Sequence, residues 1–388
     1  MGTDTPQMEL DTLLESAVKV GASDVHLKLG RPPLVRRDAM LAPLEGAQIM
    51  QAHDLEAVLQ AVCAGSPQRL ASFLETGDLD VPYTTASELR FRVNGFRQRG
   101  DASFALRLIP SAIPTLEELG LPRGVSRLAD EPHGLVLVTG PTGAGKSTTL
   151  AAMVNRINGT RQAHVVTIED PIEFLHQDQQ CVINQREVEI DTGSFRQGLR
   201  QALRQDPDII VIGELRDDES AETALQAAES GHLVLTTLHT IDAAESVGRL
   251  IELFPSGKQQ QVRSILAGVL RGVVSQRLLP KVDGGRVPAV EVMVTTARIA
   301  ELVRENRVEM IPDAIADGKF FDMQSLRQSL VELVVAGIVD RETAASVAVN
   351  RHDFIVAVEH ALKAADVQPE VNEFAVQGVR LRTVAGES

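Results

Sequence analysis

The sequence predicts an α/β protein in which a mainly parallel β-sheet covered by helices follows a smaller α+β domain. With 388 residues, the chain is long enough for two domains. Four short apolar runs alternate with amphipathic helical segments after residue 134. Strands that are apolar on both faces are typical of parallel sheets buried between layers of helices.

The first 110 residues are predicted to form the α+β domain. Apolar residues recur at helical spacing before Gly21, where this first helix should end. Residues 24–29 alternate polar and apolar side chains, as a half-buried strand does. A second helix is predicted over residues 54–62, and two further strands over residues 89–96 and 103–108.

Four prolines mark a predicted linker over residues 111–133: Pro110, Pro114, Pro122 and Pro132. The sheet domain is predicted over residues 134–297, and its four apolar runs are predicted to be strands: 135–139, 165–168, 209–212 and 233–238. Residues 298–364 return to helical periodicity. Residues 365–388 show no periodicity and are predicted to form a flexible tail.

Composition and charge narrow the classes of function. The formal net charge of −15 opposes non-specific binding to nucleic acid or anionic lipid. With one Tyr, no Trp and 3% aromatic residues, platforms for stacking nucleic-acid bases are not expected. The two cysteines, Cys63 and Cys181, cannot form a four-cysteine metal site and are predicted to be core residues in a reducing compartment.

No membrane span or signal peptide is expected from the sequence. No apolar run reaches the roughly 18 residues that a transmembrane helix needs. The N-terminus is acidic and lacks the basic and apolar regions of a signal peptide. A cytoplasmic location is therefore predicted.

Residues 140–147 match the phosphate-loop pattern GxxxxGK[ST], between an apolar strand and a helix. Glycines allow the tight turn that points backbone N–H groups at phosphates, and the helix N-terminus adds its dipole. Lys146 is predicted to contact the phosphates, and the Ser147 hydroxyl to ligate Mg²⁺. The alternative is a chance glycine-rich turn. The predicted nucleotide-binding residues are Gly140, Pro141, Thr142, Gly143, Ala144, Gly145, Lys146, Ser147 and Thr148.

Two carboxylates follow apolar strands, at the end where the phosphate loop also lies. Glu214 ends a strand that resembles a Walker B strand, and it is the candidate for organising Mg²⁺. Glu169 is the candidate base that polarises the attacking water. Strand-end carboxylates also cap loops and helices, and for the neighbouring Asp170 and Glu173 this alternative stays open.

Two histidines bracket the fourth apolar run, seven residues apart. His232 and His239 would point to opposite faces of a straight strand and cannot then share one metal ion. His239, at the carboxyl end, is a candidate sensor of the γ-phosphate. The alternative for either residue is a histidine bonded within the core or a loop.

Arginines concentrate in the first domain although the protein is acidic. Arg90, Arg92 and Asn94 alternate along one predicted strand and share its face. Arg107 follows on the next strand. A solvated basic face is the simpler interpretation, and the alternative is an anionic partner such as the phosphates held by a neighbouring subunit.

Several segments together resemble the secretion ATPase superfamily, and most closely its type IV pilus retraction ATPases. The resemblance extends over about residues 8 to 360. The segments that carry it are GASDVHL (21–27), RFRVN (90–94), GPTGAGKSTTL (140–150), TIEDPIEF (167–174), NQREV (184–188), GELRD (213–217) and the histidine segment around residues 232–239.

The resemblance implies a PAS-like N-terminal domain joined to a RecA-like ATPase domain, in a homohexameric ring with ATP between subunits. An inner-membrane platform protein would pass the force to pilin subunits, which places the ATPase at the inner membrane. The catalytic positions that the resemblance implies are Glu169 in the Asp box, Glu214 in Walker B, His232 and His239 in the His box, and Arg92 and Arg107 as arginines that reach the nucleotide across domains or subunits.

Two features bear on the direction of the motor. Assembly and type II secretion ATPases usually carry a four-cysteine zinc module, for which this chain lacks the cysteines. The retraction signature AIRNLIR is altered here to TARIAELVRE at residues 296–305. An assembly or secretion ATPase and an accessory retraction paralogue therefore stay open, as do a nucleic-acid translocase and a non-hydrolysing subunit.

Overall fold

A computed structural model describes residues 6–37, 40–109 and 112–366. The chain divides into two compact units. The first unit runs to Ile113 and also contains the segment Pro171–His176, whereas the second contains Pro114–Asp170 and the residues from Gln177 onward. Most of the predicted flexible tail, from residue 367, lies outside the described residues.

The first unit contains a six-stranded antiparallel sheet in the order β3-β2-β1-β6-β5-β4. Its strands are β1 Asp24–Leu27, β2 Leu34–Arg37, β3 Met40–Pro43, β4 Asp78–Thr84, β5 Arg90–Gln98 and β6 Asp101–Ile109. Strand β5 alternates exposed and buried residues, which confirms the predicted shared face of Arg92 and Asn94.

Three helices cover the first sheet: α1 Pro6–Lys19, α2 Ala52–Cys63 and α3 Pro67–Thr76. Their apolar residues and those of the sheet form one core. A buried carboxylate ties α1 to the sheet, because Asp11 accepts a 2.7 Å hydrogen bond from the Tyr83 hydroxyl and a 2.9 Å bond from the Ala86 N–H. The predicted helix over residues 54–62 lies within α2.

The second unit contains a seven-stranded sheet in the order β13-β12-β7-β11-β10-β8-β9. All neighbouring strands are parallel except β12 and β13. The strands are β7 Gly134–Thr139, β8 His164–Glu169, β9 Val182–Glu187, β10 Ile209–Ile212, β11 Leu233–Leu238, β12 Leu270–Pro280 and β13 Arg286–Val294. Every residue of β7, β10 and β11 is buried, as expected for the centre of a parallel sheet.

The four predicted strands of the second unit are confirmed as β7, β8, β10 and β11. Three further strands, β9, β12 and β13, were not predicted from the sequence. Strand β9 is a partly exposed edge strand, and polar residues interrupt the apolar pattern of β12. A strand without a continuous apolar run or a strict alternation carries little signal in the sequence.

Helices cover this second sheet and continue beyond it. They are α4 Arg123–Ala129, α5 Lys146–Thr160, α6 Phe195–Ala202, α7 Asp218–Glu229, α8 Ala243–Glu252, α9 Gln259–Val269, α10 Ala297–Arg304, α11 Ile311–Ala316, α12 Leu326–Val335, α13 Arg341–Val347 and α14 Arg351–Asp366. Short 3-10 turns lie at Val308–Met310 and Lys319–Phe321. The predicted linker thus contains a helix, α4. The last three helices share a core of their own with β12 and β13.

Both cysteines are buried and free, as predicted for core residues, and burial raises the pKa of each thiol. Within the described ranges, no helix combines the length and the apolar character needed to cross a membrane.

Acidification is expected to destabilise the protein through His176, because burial lowers the pKa of this residue from 6.5 to about 4. The unfolded chain then binds the proton more tightly than the folded one, so stability is lost as the pH falls from about 6.5 towards 4. The loss should reach at most about 3 kcal/mol. Urea unfolding of the wild type and of His176→Gln at pH 7 and pH 5 measures it.

The His176→Gln variant should lose clearly less stability between the two pH values than the wild type. His352→Gln is the matched control, because His352 is exposed and its removal should leave the wild-type pH dependence unchanged. Equal losses in the wild type and His176→Gln would contradict the assignment.

Candidate nucleotide-binding site

The predicted phosphate loop connects β7 to α5 in the second unit, as the sequence pattern requires. Gly140, Gly143 and Gly145 have φ values of 145°, 80° and 86°, which L side chains rarely adopt. A Cβ atom on Gly140 would also lie 2.4 Å from the carbonyl oxygen of Gln276 on β12. Gly140 is therefore required both by its conformation and by the close approach of β12.

The loop presents the start of a helix to solvent. Pro141, Thr142 and Gly143 are exposed, and Ser147 and Thr148 in the first turn of α5 are partly exposed. The first N–H groups of a helix have no partner within the helix, and they carry the positive end of its dipole. This cradle fits the phosphates of a nucleotide.

Lys146, the first residue of α5, lies folded over the loop. Its ammonium group donates hydrogen bonds to the carbonyl oxygens of Gly140 at 2.9 Å and Pro141 at 3.2 Å. It also lies 3.4 Å from Nδ1 of His239. The side chain is only 9% exposed, so these contacts compensate the burial of its charge.

His239 connects Lys146 to Glu214. An ammonium group can only donate, so Nδ1 of His239 accepts from Lys146, and Nε2 then carries the proton of a neutral ring. Nε2 lies 3.2 Å from Oε1 of Glu214, whose Oε2 accepts a 3.0 Å bond from Nε of Arg216. The predicted Walker B glutamate is thus joined to the phosphate-loop lysine through one histidine.

The backbone places these side chains at the same edge of the sheet. Glu214 follows β10 and His239 follows β11, at the carboxyl ends of neighbouring parallel strands. The Thr237 hydroxyl donates a 2.5 Å bond to the carbonyl oxygen of Gly213, which ties the two strand ends together. Beside them opens a cleft of about 790 Å³ that Glu214, His239 and residues of α8 line.

Glu169 ends β8 at this same edge, but three strands away from β7, roughly 14 Å along the sheet. Its Oε1 accepts a 2.6 Å hydrogen bond from the Thr167 hydroxyl and a 3.1 Å bond from the Gln185 amide. These donors hold the carboxylate in one orientation. The two other acidic residues of this segment belong to different units: Asp170 belongs to the second unit and Glu173 to the first.

The donors available for a divalent cation suit Mg²⁺. Ser147 offers a hydroxyl oxygen one residue after Lys146, and Glu214 offers a carboxylate that is 20% exposed. Oxygen atoms are the ligands that Mg²⁺ prefers, and it usually takes only one or two from the protein in addition to phosphate oxygens and water.

His232 lies at the amino end of β11, so the six residues of that strand separate it from His239, a distance of roughly 23 Å over seven residue steps. Its Nδ1 lies 2.9 Å from the Ala227 carbonyl oxygen and 3.1 Å from the Ser230 hydroxyl. Within one chain, the structure does not bring His232 to the phosphate loop. Its predicted catalytic role stays a prediction.

Arg92 and Arg107 lie in the first unit, where they are register partners on β5 and β6. Arg92 donates to Asp80 at 2.7 Å, and Arg107 donates to Asp24 at 2.8 Å. Burial alone would raise the pKa of Asp24, but hydrogen bonds from Arg107 and Ser23 lower it below its ordinary value. Both arginines are exposed, with side-chain exposures of 48% for Arg92 and 75% for Arg107.

Three residues of the site were given no role of their own from the sequence: Gln185 beside Glu169, Arg216 beside Glu214, and Gln276 beside the loop. Arg216 carried a usable signal, because it lies two residues from a strand-end carboxylate. Gln276 carried none, because its strand was not predicted.

Comparison with known proteins agrees with this architecture. Residues 4–284 match the family model described as type II/IV secretion system protein. The chain is 45% identical to the type IV pilus retraction ATPase PilT of Pseudomonas aeruginosa, over 87% of this chain and 97% of that protein. It is 36% identical to the type IV pilus ATPase PilU of the same organism, over 91% and 92% of the two chains.

A crystal structure of the pilus retraction motor PilT with bound ADP superposes with a TM-score of 0.82. The match covers 89% of this chain and 98% of that chain, at 41% identity. The predicted α/β fold class, with its RecA-like ATPase domain, is confirmed by this likeness.

Replacing Gly140 by alanine is expected to unfold the loop region or the whole second unit. The added Cβ would meet the Gln276 carbonyl at 2.4 Å in a backbone conformation that disfavours alanine. We expect a loss above about 3 kcal/mol in urea unfolding. Gly284→Ala is the matched control, because Gly284 also has a positive φ, of 92°, but nothing lies within 4 Å of its Cβ position. Its cost should be about 1 kcal/mol, and equal losses in the two variants would contradict the packing argument.

Proposed function

The chain belongs to the type II/IV secretion system protein family, and we propose that it works as a homohexameric ATPase that drives the retraction of type IV pili. One observation carries the proposal. An intact phosphate loop is joined through His239 to the strand-end Glu214, in a chain that aligns with 97% of a retraction ATPase.

In this proposal, the loop N–H groups and Lys146 hold the phosphates of ATP, and Ser147 and Glu214 hold Mg²⁺. When bound, Mg²⁺ supplies charge neutralisation on the phosphate oxygens. The residues from Gly140 to Thr148 supply the cradle. Because the Lys146 ammonium already contacts the loop carbonyls of Gly140 and Pro141, it is the natural partner of a phosphate oxygen.

The contact between Lys146 and His239 would allow the site to respond to bound nucleotide. A phosphate oxygen is a stronger acceptor for an ammonium group than the two loop carbonyls and a neutral imidazole. Binding of ATP would therefore draw Lys146 away from Nδ1 of His239, while Nε2 still faces Glu214. The environment of Glu214 would then depend, through His239, on whether the loop holds phosphate.

Glu169 is proposed to polarise the attacking water. Thr167 and Gln185 orient its carboxylate by hydrogen bonds to Oε1. A base contributes only when its geometry is fixed relative to the proton it takes, and these two donors fix it on the protein side.

Arg92 and Arg107 are proposed to act on nucleotide held by another subunit of the ring. Their exposure and their position as cross-strand neighbours support a shared anionic target. A phosphate would have to outcompete Asp80 and Asp24, the carboxylates with which they pair. Cycles of ATP binding, hydrolysis and release would then shift subunits between two arrangements.

The proposed motor acts in the cytoplasm at the inner membrane. It would pass force to a platform protein in that membrane and through it to pilin subunits. The net charge of −15 and the scarcity of aromatic residues argue against nucleic acid as the substrate.

An accessory retraction ATPase is the second candidate. The altered signature at residues 296–305, which forms α10 after the cap residue Thr296, favours it. The chain is also similar to the type IV pilus ATPase PilU, with 36% identity over 91% of this chain. The higher identity with PilT, over almost the whole length of that protein, favours the principal motor.

Replacing Glu169 by glutamine is expected to lower kcat for ATP hydrolysis at least about 100-fold, because the amide cannot take a proton. Affinity for ATP should stay within about threefold of wild type, since the phosphate cradle is unchanged. Phosphate release and equilibrium binding measure the two quantities. Glu229→Gln, at an exposed site on α7, is the control and should hydrolyse ATP like the wild type. A wild-type kcat in the Glu169→Gln variant would contradict the assignment of Glu169 as the residue that polarises the attacking water.

Deleting the gene in its host is expected to leave abundant surface pili while surface motility is lost. Expression of the wild-type chain should restore motility, and expression of Glu169→Gln should not. Electron microscopy of pili and motility assays on agar measure both. Cells without pili would identify an assembly motor instead, and cells with normal motility would favour an accessory role.

A further inference from the structure

Gln276 lies on β12 immediately beside the phosphate loop. Strand β12 runs parallel to β7, and their pairing ends with Ser275 opposite Thr139. Gln276 is thus the first residue of β12 beyond the end of β7, at the level where the loop begins. It is only 2% exposed and is not one of the residues that the phosphate-loop pattern contains.

The nitrogen and the oxygen of the Gln276 side-chain amide both form hydrogen bonds where the loop enters α5. Nε2 donates a 2.5 Å hydrogen bond to the carbonyl oxygen of Ala144, and Oε1 accepts a 2.8 Å bond from the Thr149 hydroxyl. Thr149 is also 2% exposed, so neither bond is shared with water. The amide therefore links the last part of the loop to the first turn of α5.

The main-chain carbonyl of Gln276 lies beside the start of the loop, where the loop leaves β7. Its carbonyl oxygen lies where a Cβ atom on Gly140 would clash, at 2.4 Å. The side-chain Nε2 of Gln276 lies 3.1 Å from the position that a Cβ atom on Gly145 would occupy. One residue thus contacts the loop where it leaves β7 and again where it enters α5, while the middle of the loop is exposed.

We propose that Gln276 is a positioning residue that clamps the phosphate loop at both ends and thereby sets the affinity for ATP. The inference rests on the proposed ATPase function. Backbone N–H groups bind phosphate well only when they already point at it, because ordering the loop on binding would reduce the affinity. Strand β12 keeps its pairing with β7 and β13 without the amide, so the side-chain part of the clamp, at the α5 end of the loop, can be removed without removing the strand.

The test is Gln276→Met, which keeps the length and burial of the side chain and removes both hydrogen bonds. The Kd for a fluorescent ATP analogue and the KM for ATP should each rise about tenfold, while kcat changes less than about threefold. Gln259→Met is the matched control. Its amide donates a 3.0 Å bond to the carbonyl oxygen of Phe254, which precedes α9, and its loss should change neither constant.

A second variant, Gln276→Glu, separates positioning from general stability. When protonated, the carboxyl group can both donate to Ala144 and accept from Thr149, as the amide does, but when ionised it can only accept. The affinity of this variant for the ATP analogue should improve as the pH is lowered from 8 to 6, while Gln276→Met shows no such recovery. If Gln276→Met does not fold, Thr149→Val removes one of the two bonds and should raise the Kd in the same direction.

Three results would overturn the inference. They are wild-type Kd and KM in Gln276→Met, a loss of kcat at unchanged KM in that variant, and an affinity of Gln276→Glu that does not respond to pH. If the wild-type protein itself neither binds nor hydrolyses ATP, the proposed function fails and this inference fails with it.

Discussion

The register of β7 between its two neighbours is the constraint on which the site depends. Thr139, the last residue of β7, pairs with Leu238 of β11 on one side and with Ser275 of β12 on the other. The next residue on each strand is therefore a site residue, namely Gly140, His239 and Gln276. A shift of one residue in either pairing would turn His239 or Gln276 to the opposite face of the sheet.

Buried hydroxyl groups help to fix that register, because a slipped pairing would leave them without partners. The Thr139 and Ser275 hydroxyls bond across the strands at 2.8 Å, and Ser246 of α8 donates to Thr139 at 3.3 Å. Ser246 also bonds to Thr240, the residue after His239, at 2.6 Å. All four side chains are buried. Apolar contacts alone are non-directional, whereas these bonds specify one alignment of β7, β12 and the turn after β11.

The sequence predicted those parts of the site whose chemistry lies in consecutive residues or at the end of an apolar strand. The phosphate loop is a continuous pattern, and Glu214 follows a run of four buried residues. The contacts that complete the site join distant residues, since Lys146 and His239 are 93 positions apart and Ala144 and Gln276 are 132 apart. The sequence placed His239 at the carboxyl end of its apolar run, and the length of β11 keeps His232 away from the phosphate loop. Such pairings arise from sheet order, which local periodicity does not encode.

Charge explains why Glu214 is flanked by Arg216 and His239. A protein with a net charge of −15 repels a polyanion such as ATP, and a carboxylate beside the phosphate loop adds to that repulsion. The Arg216 guanidinium at 3.0 Å and the His239 N–H at 3.2 Å offset the charge of Glu214 from two sides. The α5 N-terminus and Lys146 then act on phosphate with little opposition. Because His239 also contacts Lys146, one neutral ring links the anionic and the cationic side chain of the site.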